Sequence, residues 1–578
     1  MTFSEISRKM LRANVRRYRL YFLCNLFAAA LFYCFAAIFT NETFLNEEIV
    51  NSSISGNIYF PSMLSALFVV LFLPVSCRAF LASRKQEYGI LFSLGMSRKE
   101  AFWHMLFENV TIAVLALAAA LAVGSVLSVL FFAEIIYGIG IGGVRWQLRP
   151  EAFYITAFLY LTVILATFVL SSVRLLREKI GVLLKAPYRL EKKGWLERKL
   201  YKICPAYMKK RLVGWSFARR HKREWQLRYL VASVLVAGSV TLAGTCITIY
   251  PSFLQDAKNY SPYDMVYSEI FGRNQVPVQR IMEILKENGV AVEQNLQISY
   301  IRNSSFNCFP VTEVNRCFGC DYEVEEGQFL NLFQYDLTDG YEHERDPIPS
   351  ITLAGNEKLY SAGSDVKILF NKNPAFADRT LLVSDADFER MKTDMQYWPG
   401  IAHLFLFEQW EDSYAGVCAV EEYLKSQSQT EREDAESMRY CKVSSKAENY
   451  QDAGKSGQFL LFLMAFVIGL MLTAEFLLIH ARIQSEQEET RRAVSSLHLL
   501  GMTKGEIIKC LNYKNGLRFI PPLAAGALFS ILPSYVLNGT YGAGGRGVLA
   551  GSLFAAVILV GTLVLLGRYS NREFQKSS

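Results

Sequence analysis

Histidine is scarce in this chain, at six in 578 residues. The six are scattered, and no pair has the spacing that would set two imidazoles on one metal. His343-Glu344-Arg345 lacks the second His of an H-E-x-x-H helix, so no histidine-based metal site is expected. The glycine-rich loop that cradles phosphates is missing too. Gly454-Lys455-Ser456 copies its last residues, but Asn449 stands where the first Gly belongs. A G-x-S-x-G nucleophile elbow is also absent. These absences exclude the commonest nucleotide, metal and acyl-transfer chemistries, and no catalytic residue is assigned.

Long apolar runs, by contrast, are plentiful. A bilayer core takes about 20 apolar residues per helix, and eight runs meet that length, at 20–40, 61–82, 110–133, 152–174, 229–251, 457–480, 517–536 and 548–567. The first is longer than a signal-peptide core, and no small-residue cleavage pattern precedes Asn41, so it is read as a retained helix. The seventh carries Pro521 and Pro522 near its start.

Charge orients these spans. Arg8, Lys9, Arg12, Arg16, Arg17 and Arg19 precede the first, and residues 174–228 hold 18 Lys and Arg against four Glu. Both stretches are expected in the cytoplasm, which returns the C-terminus there as well. The formal charge of +8 hides a separation: residues 252–455 carry 34 acidic and 19 basic side chains, leaving the remainder near +23. The basic stretch is read as topology and lipid-surface contact, not nucleic-acid binding. The expected order is a first membrane half (1–178), a basic cytoplasmic linker (179–228), a fifth span (229–251), an acidic outer domain (252–455) and a second membrane half (456–578).

Within this frame one passage occurs twice. Residues 84–109 read RKQEYGILFSLGMSRKEAFWHMLFEN, and residues 490–515 read TRRAVSSLHLLGMTKGEIIKCLNYKN. Leu94, Gly95, Met96 and Ser97 align with Leu500, Gly501, Met502 and Thr503, and Glu100 aligns with Glu506. A repeat of this kind sets the architecture. Each copy is read as an amphipathic helix stopped by its Gly, then a second helix opened by an S/T-x-x-E capping box. Each sits at the same topological position, either as a plain surface turn or as a docking elbow for a two-fold partner. Gly138-Ile-Gly-Ile-Gly-Gly143 and Gly542-Ala-Gly-Gly-Arg-Gly547 follow as compact outer hairpins.

The outer domain reads as mixed α/β, with a helix at 277–288 stopped by Gly289, strands at 349–353, 366–370, 380–384 and 401–407, and a polar helix-permissive stretch at 420–448. Cys308, Cys317, Cys320, Cys418 and Cys441 fall in it. They are read as one or two structural disulfides or free thiols, with Cys317-Phe-Gly-Cys320 leaving a thiol-redox or metal role open. Charges inside or beside spans are functional by default. Glu475 is expected to find an interior partner. Arg78, Glu108 and Lys514 pair across the halves or, for Glu108 and Lys514, snorkel to the interface.

The motif R-x-x-E-[YF]-x-[IL]-L-x-x-L-G-M-[ST]-x-x-[EQ], here Arg84, Glu87, Tyr88, Leu91, Leu94, Gly95, Met96, Ser97 and Glu100, resembles the FtsX-like permease domain of ABC transporters. Two such passages flanking one large outer insertion, with LRANVRRYRLYFL at the N-terminus and Tyr513 to Pro522, resemble the bacitracin-resistance (BceB-like) subgroup. The resemblance implies a polytopic α-helical protein of two four-helix halves plus an extracellular α/β domain, in a bacterial plasma membrane. It implies a non-catalytic subunit that passes ATP-driven closure of a cytoplasmic ATPase, in two copies, to the outer domain. ATP and Mg would sit in that partner, with no cofactor on this chain. Residues 84–100 and 490–506 would be the coupling sites. Peptide antibiotics or lipid-linked cell-wall precursors would be the ligands, and a membrane histidine kinase a further partner. A division-type regulator of a cell-wall hydrolase and a lipid or lipoprotein extractor are the alternatives. The chain departs from the pattern in having eight spans for the usual ten, and in placing Ala493 and His498 where the first copy has Glu87 and Phe92.

Overall fold

The computed structural model describes residues 15–45, 58–178, 180, 225–271, 276–303, 305–334, 347–353, 357–371, 379–394, 396–427, 442–485, 490, 494–495, 497–499, 501–539 and 543–575. The basic linker expected at 179–228 lies almost wholly outside them. The chain divides into two compact units, one of residues 1–248, 458–538 and 543–578, the other of 249–457 and 539–542.

The first unit is helical. Its helices are α1 (Val15–Phe39), α2 (Tyr59–Ser83), α3 (Lys85–Ser93), α4 (Arg98–Ala133) and α5 (Pro150–Leu176), then most of α6 (Trp225–Asn259) and of α11 (Lys446–Ser485), and α12 (Lys504–Phe529), α13 (Ile531–Gly539) and α14 (Gly544–Gln575). Among the described residues eight stretches are long and apolar enough to cross a membrane: Tyr18–Phe39, Tyr59–Ala82, Arg98–Gly138, Pro150–Leu176, Leu230–Asn259, Lys446–His480, Phe519–Gly539 and Gly544–Arg572. The first four pack on one another, α1 against α2, α4 and α5, and α5 against α2 and α4. In the seventh, Pro521 and Pro522 lie inside α12, and the helix breaks at Ser530 before α13.

Glycine sets the helix spacing in the second half, as expected where lipid-exposed helices associate through close van der Waals contact. A Cβ on Gly526 would strike the Ser233 carbonyl and Val236, bringing α12 against α6, where the Ser233 hydroxyl also donates to the Pro522 carbonyl at 3.0 Å. Gly244 meets the Gly547 carbonyl, and Gly551 faces Val240, so α14 closes on α6 by the same device. Gly544 to Gly547 form the first turn of α14, so the hairpin expected at 542–547 lies mostly before them, and residues 540–542 are outside the described residues. The first link does turn: Gly140 and Gly143 take φ of +77° and +79°, after a π-helical turn at Glu134–Gly138.

Among the described residues the second unit is built on a mixed sheet of nine strands, in the order β5-β6-β4-β7-β3-β2-β8-β1-β9. The strands are β1 (Met265–Ile270), β2 (Val292–Arg302), β3 (Phe306–Pro310), β4 (Gln328–Phe333), β5 (Ser350–Thr352), β6 (Lys358–Val366), β7 (Arg379–Val383), β8 (Trp398–Phe407) and β9 (Ser444–Ser445). Strand β8 lies between β2 and β1, antiparallel to both. Its side chains alternate between faces, Ala402 and Leu404 into one core, Phe405 and Phe407 into another. Helices α7 (Val278–Glu287) and α10 (Tyr414–Gln427) cover the second core with Ile281, Ile284, Leu285, Val417, Val420 and Leu424. Helices α8 (Val311–Phe318) and α9 (Asp385–Lys392) complete the unit. The expected strand at 366–370 is corrected: β6 ends at Val366, and its paired length comes before, against β4 and β5. Strands β1 to β4 and β9 were not anticipated.

Asp264 joins this sheet to α11. It is 4% exposed. Its N–H donates to the Phe405 carbonyl at 2.9 Å, and its carboxylate accepts from the Phe407 N–H at 2.8 Å. The other carboxylate oxygen holds the Lys446 ammonium at 3.2 Å, and the Asp264 carbonyl accepts from the Lys446 N–H at 3.0 Å. That ammonium also lies 5.1 Å from the Trp410 ring, which with Tyr450 takes the Lys258 ammonium of α6 at 5.5 and 5.2 Å. Asp264→Ala strands a buried N–H and a cation, and it is expected to cost about 2–3 kcal/mol. Amide exchange in β8 and in the first turns of α11 checks this, and unchanged protection in both would refute it.

Candidate functional site: the paired elbows

In each copy of the repeat a helix must stop and another start within four residues. The stop is a left-handed residue that satisfies the last carbonyls, and glycine adopts it without Cβ strain. Gly95 has φ +96° and Gly501 φ +80°. The Met96 N–H reaches back to the Leu91 carbonyl at 3.0 Å and the Gly95 N–H to that of Phe92 at 3.2 Å. The second copy repeats both bonds, Met502 to Leu497 at 3.2 Å and Gly501 to His498 at 3.0 Å. These are the two bonds of a Schellman stop, made twice 406 positions apart.

The start is duplicated as well. Ser97 accepts from the Glu100 N–H at 3.2 Å while the Glu100 carboxylate accepts from the Ser97 N–H at 2.9 Å. In the second copy the Glu506 carboxylate takes the Thr503 N–H and hydroxyl, each at 3.1 Å. Leu94 is 77% exposed at the first tip. Beside it an open groove of about 500 Å³ is lined by Met96, Ser97, Lys99, Glu100, Trp103 and His104. Leu500 lies outside the described residues.

Beneath the first elbow is a buried charge node that the sequence reading missed. Glu108 is 7% exposed and Arg84 1%. The Arg84 guanidinium donates to Glu108 through one terminal nitrogen and to Glu87 through Nε at 3.0 Å. Glu108 also accepts from the Tyr18 hydroxyl of α1 and from the Tyr88 hydroxyl of α3 at 3.4 Å. His104 Nδ1 lies 3.9 Å from the same carboxylate. Tyr88, Tyr18 and Phe80 ring the guanidinium at 5.0, 5.3 and 5.8 Å. Burial, with the Arg84 charge opposing it, pushes the Tyr88 phenol above its usual range, so it serves as a neutral donor. Next door, the Tyr21 hydroxyl donates to Asn109 at 2.6 Å, and its ring stacks on Phe80 at 4.3 Å.

One expectation fails here. Glu108 neither snorkels nor pairs across the halves. Its position at the mouth of an apolar run suggested an interface, but Arg84, Tyr18 and Tyr88 come back over it from 24, 90 and 20 residues away. Glu475 is interior as expected, at 5% exposure, and among the described residues it makes no hydrogen bond or ion pair. Arg78 is half-buried, and the Lys514 side chain lies outside the described residues. In the outer domain Cys308, Cys317, Cys320 and Cys418 are free thiols, the second of the two expected readings; Cys441 is outside the described residues. Among the described residues no group of His, Cys, Asp and Glu could hold a metal ion.

Residues 59–180, which contain the first elbow, Arg84 and Glu108, match the family described as FtsX-like permease C-terminal. The chain carries an FtsX-like permease domain. It is also homologous to Bacillus ABC transporter permeases. It is 22% identical to the ABC transporter permease protein YxdM of Bacillus subtilis (strain 168) over an alignment of 602 positions, covering 92% of this chain and 93% of that protein. It is 29% identical over 193 residues to the uncharacterized ABC transporter permease YvcS of the same organism, covering 32% of this chain and 29% of that protein. The FtsX-like match over 59–180 and the eight apolar helices among the described residues indicate a multi-pass membrane protein.

Arg84 serves two carboxylates within the FtsX-like domain, so removing it leaves Glu108 buried without its cation. Arg84→Leu is expected to destabilise the first membrane half by about 3 kcal/mol. Thermal unfolding of the detergent-purified chain measures this, and an unchanged midpoint would show that the node carries no net stability.

Proposed function

We propose that this chain is the membrane subunit of an ABC transporter that docks two copies of a separate cytoplasmic ATPase on its two elbows. It carries their closure to the outer domain by mechanotransmission. The observation behind this reading is the repeated elbow: two Schellman stops and two capping-box starts at matched positions, each ahead of a membrane-crossing helix. A partner with two-fold symmetry offers two equivalent sockets, and paired posts on one chain suit it. ATP and Mg then belong to the partner. Helices α6 and α11 support the transmission step, since each is continuous from an apolar crossing stretch into the residues that meet Trp410 and Asp264.

The likeness to the bacitracin-resistance subgroup points to antimicrobial-peptide resistance and sensing, with a membrane histidine kinase as a further partner. Charge narrows the ligand. Residues 252–455 carry 34 acidic and 19 basic side chains. A field of that sign draws a cationic peptide and repels an anionic lipid-linked precursor. The peptide is therefore the favoured direct ligand, in a cell whose membrane this chain spans eight times with both termini inside.

Affinity purification of the tagged chain from its host, with partners identified by mass spectrometry, tests this reading. An ATPase at about two copies per chain is expected. A cell-wall hydrolase in its place would favour a division-type regulator, and no ATPase at all would refute the proposal. Gly95→Pro or Gly501→Pro replaces a positive φ with one fixed near −65°, and either is expected to abolish ATPase recovery while leaving membrane insertion intact. Undiminished recovery with both variants would remove the elbows from the docking site.

A further inference from the structure

Strand β2 is paired along its whole length on one side and only at its end on the other. It meets β8 from Val292 to Arg302, but β3 only at Ile301 and Arg302. From Glu293 to Ser299 its second edge has no neighbouring strand among the described residues. Helix α8 covers part of that gap with side chains. The Ser299 N–H donates to the Glu313 carboxylate at 2.7 Å, and the Cys317 thiol lies 3.9 Å from the Gln297 carbonyl. These contacts also fix which groups face outward. In an antiparallel strand a residue's N–H and C=O point to one side, and the side alternates from residue to residue. The Asn295 N–H and C=O and the Gln297 N–H therefore face the open edge, and among the described residues nothing bonds them there. Glu293 and Gln297 are exposed, and Asn295 is partly buried with its Oδ1 unpartnered. A bulge between Val292 and Gln294 bounds the stretch. Unpaired backbone groups held in a row are a template for a further strand.

Charge selects what can add. Glu293 and Glu313 flank the edge, and α8 sets only Arg316 against them. Asn315 of α8 clamps Tyr322 through its N–H at 3.0 Å and its carbonyl at 2.8 Å. That holds the exposed Asp321 and Glu323 beside the helix, and Glu325 and Glu326 follow with no cation in 321–326. We infer that the open edge of β2, from Glu293 to Gln297, is a binding site for an extended cationic peptide. The peptide adds as a strand through its backbone, and its Lys or Arg side chains meet these carboxylates. The Cys317 thiol is a weak donor and yields the Gln297 carbonyl to a peptide N–H. This rests on the peptide-binding reading of the outer domain given above, and it names the place and the mode of contact.

Binding of a short synthetic peptide of alternating Val and Lys to the full-length chain in neutral detergent tests this, with hydrogen exchange read on the same samples. Saturable binding is expected, with the Asn295 and Gln297 amides exchanging about tenfold or more slowly in the complex. The same peptide N-methylated at alternate amides keeps its charge but loses its backbone donors, and it should bind at least about tenfold more weakly. Asn295→Pro removes the outward N–H without taking a bond from β8, and it should weaken the unmethylated peptide to a similar degree. A peptide of alternating Val and Glu should not bind. Equal binding of the N-methylated peptide or of the Val–Glu peptide would overturn the inference, and both comparisons stand even if Asn295→Pro does not fold. Protection of Asn295 and Gln297 that rises with protein concentration without peptide would give the edge to a second copy of the chain, and it would overturn the inference too. Binding of the Val–Lys peptide without protection of Asn295 and Gln297 would sink this site alone. No binding of that peptide would sink the peptide-binding reading and the site with it.

Discussion

A carboxylate buried at the mouth of a membrane helix organises the first half of this protein. Glu108 is tolerable there only because a guanidinium and two phenols complete its coordination. That requirement fixes more than the charge. It sets the rotation of α4 so that Glu108 faces inward, draws the first turn of the α1 crossing stretch against it through Tyr18, and holds the α2–α3 junction where Arg84 can reach. The aromatic ring around Arg84 supplies partners for the faces of the guanidinium that no carboxylate meets. The first elbow projects from this node, so its position is inherited from a buried polar contact.

The elbow itself is a local object. Its stop needs one residue at positive φ, and its start needs a hydroxyl and a carboxylate three residues apart. Both requirements are written in six consecutive residues, which is why Gly95 to Glu100 and Gly501 to Glu506 could be read as paired stops and starts from the sequence, and why both copies fold alike. What lies under each elbow is non-local and free to diverge. The same backbone therefore sits on an ion pair in one half and on aliphatic side chains in the other.

The same division explains what was legible elsewhere. The eight crossing stretches follow from run length, and α7 with its Gly289 stop from apolar spacing. Strands β7 and β8 announced themselves by continuous apolar residues because both of their faces are buried. Strand β2 did not: its first half, from Val292 to Gln297, is mostly polar and only partly buried, and it is held by register against β8. The run at 366–370 misled because Leu369 and Phe370 are buried by packing under the sheet, without strand pairing. Glu108 was misread for a related reason. Sequence gives the cost of a charge beside an apolar run, but the partners that offset it come from other helices.

Polar groups held in apolar surroundings recur at the other places where this chain must keep a precise geometry. Asp264 takes two strand bonds and a lysine at one point between β8 and α11, and Lys258 and Lys446 share the Trp410 ring. Glycine contacts between α6, α12 and α14 set distance without fixing direction. A chain built to transmit force has use for both kinds of contact. Directional polar nodes define where one element may push on another, because displacing them strands a charge. Close-packed glycine seams let helices shift along one another with little change in buried area. Both kinds occur in the first half, where Gly124 lets α4 approach the Ala30 carbonyl and the Tyr33 ring of α1, the same helix pair that meets at the Glu108 node.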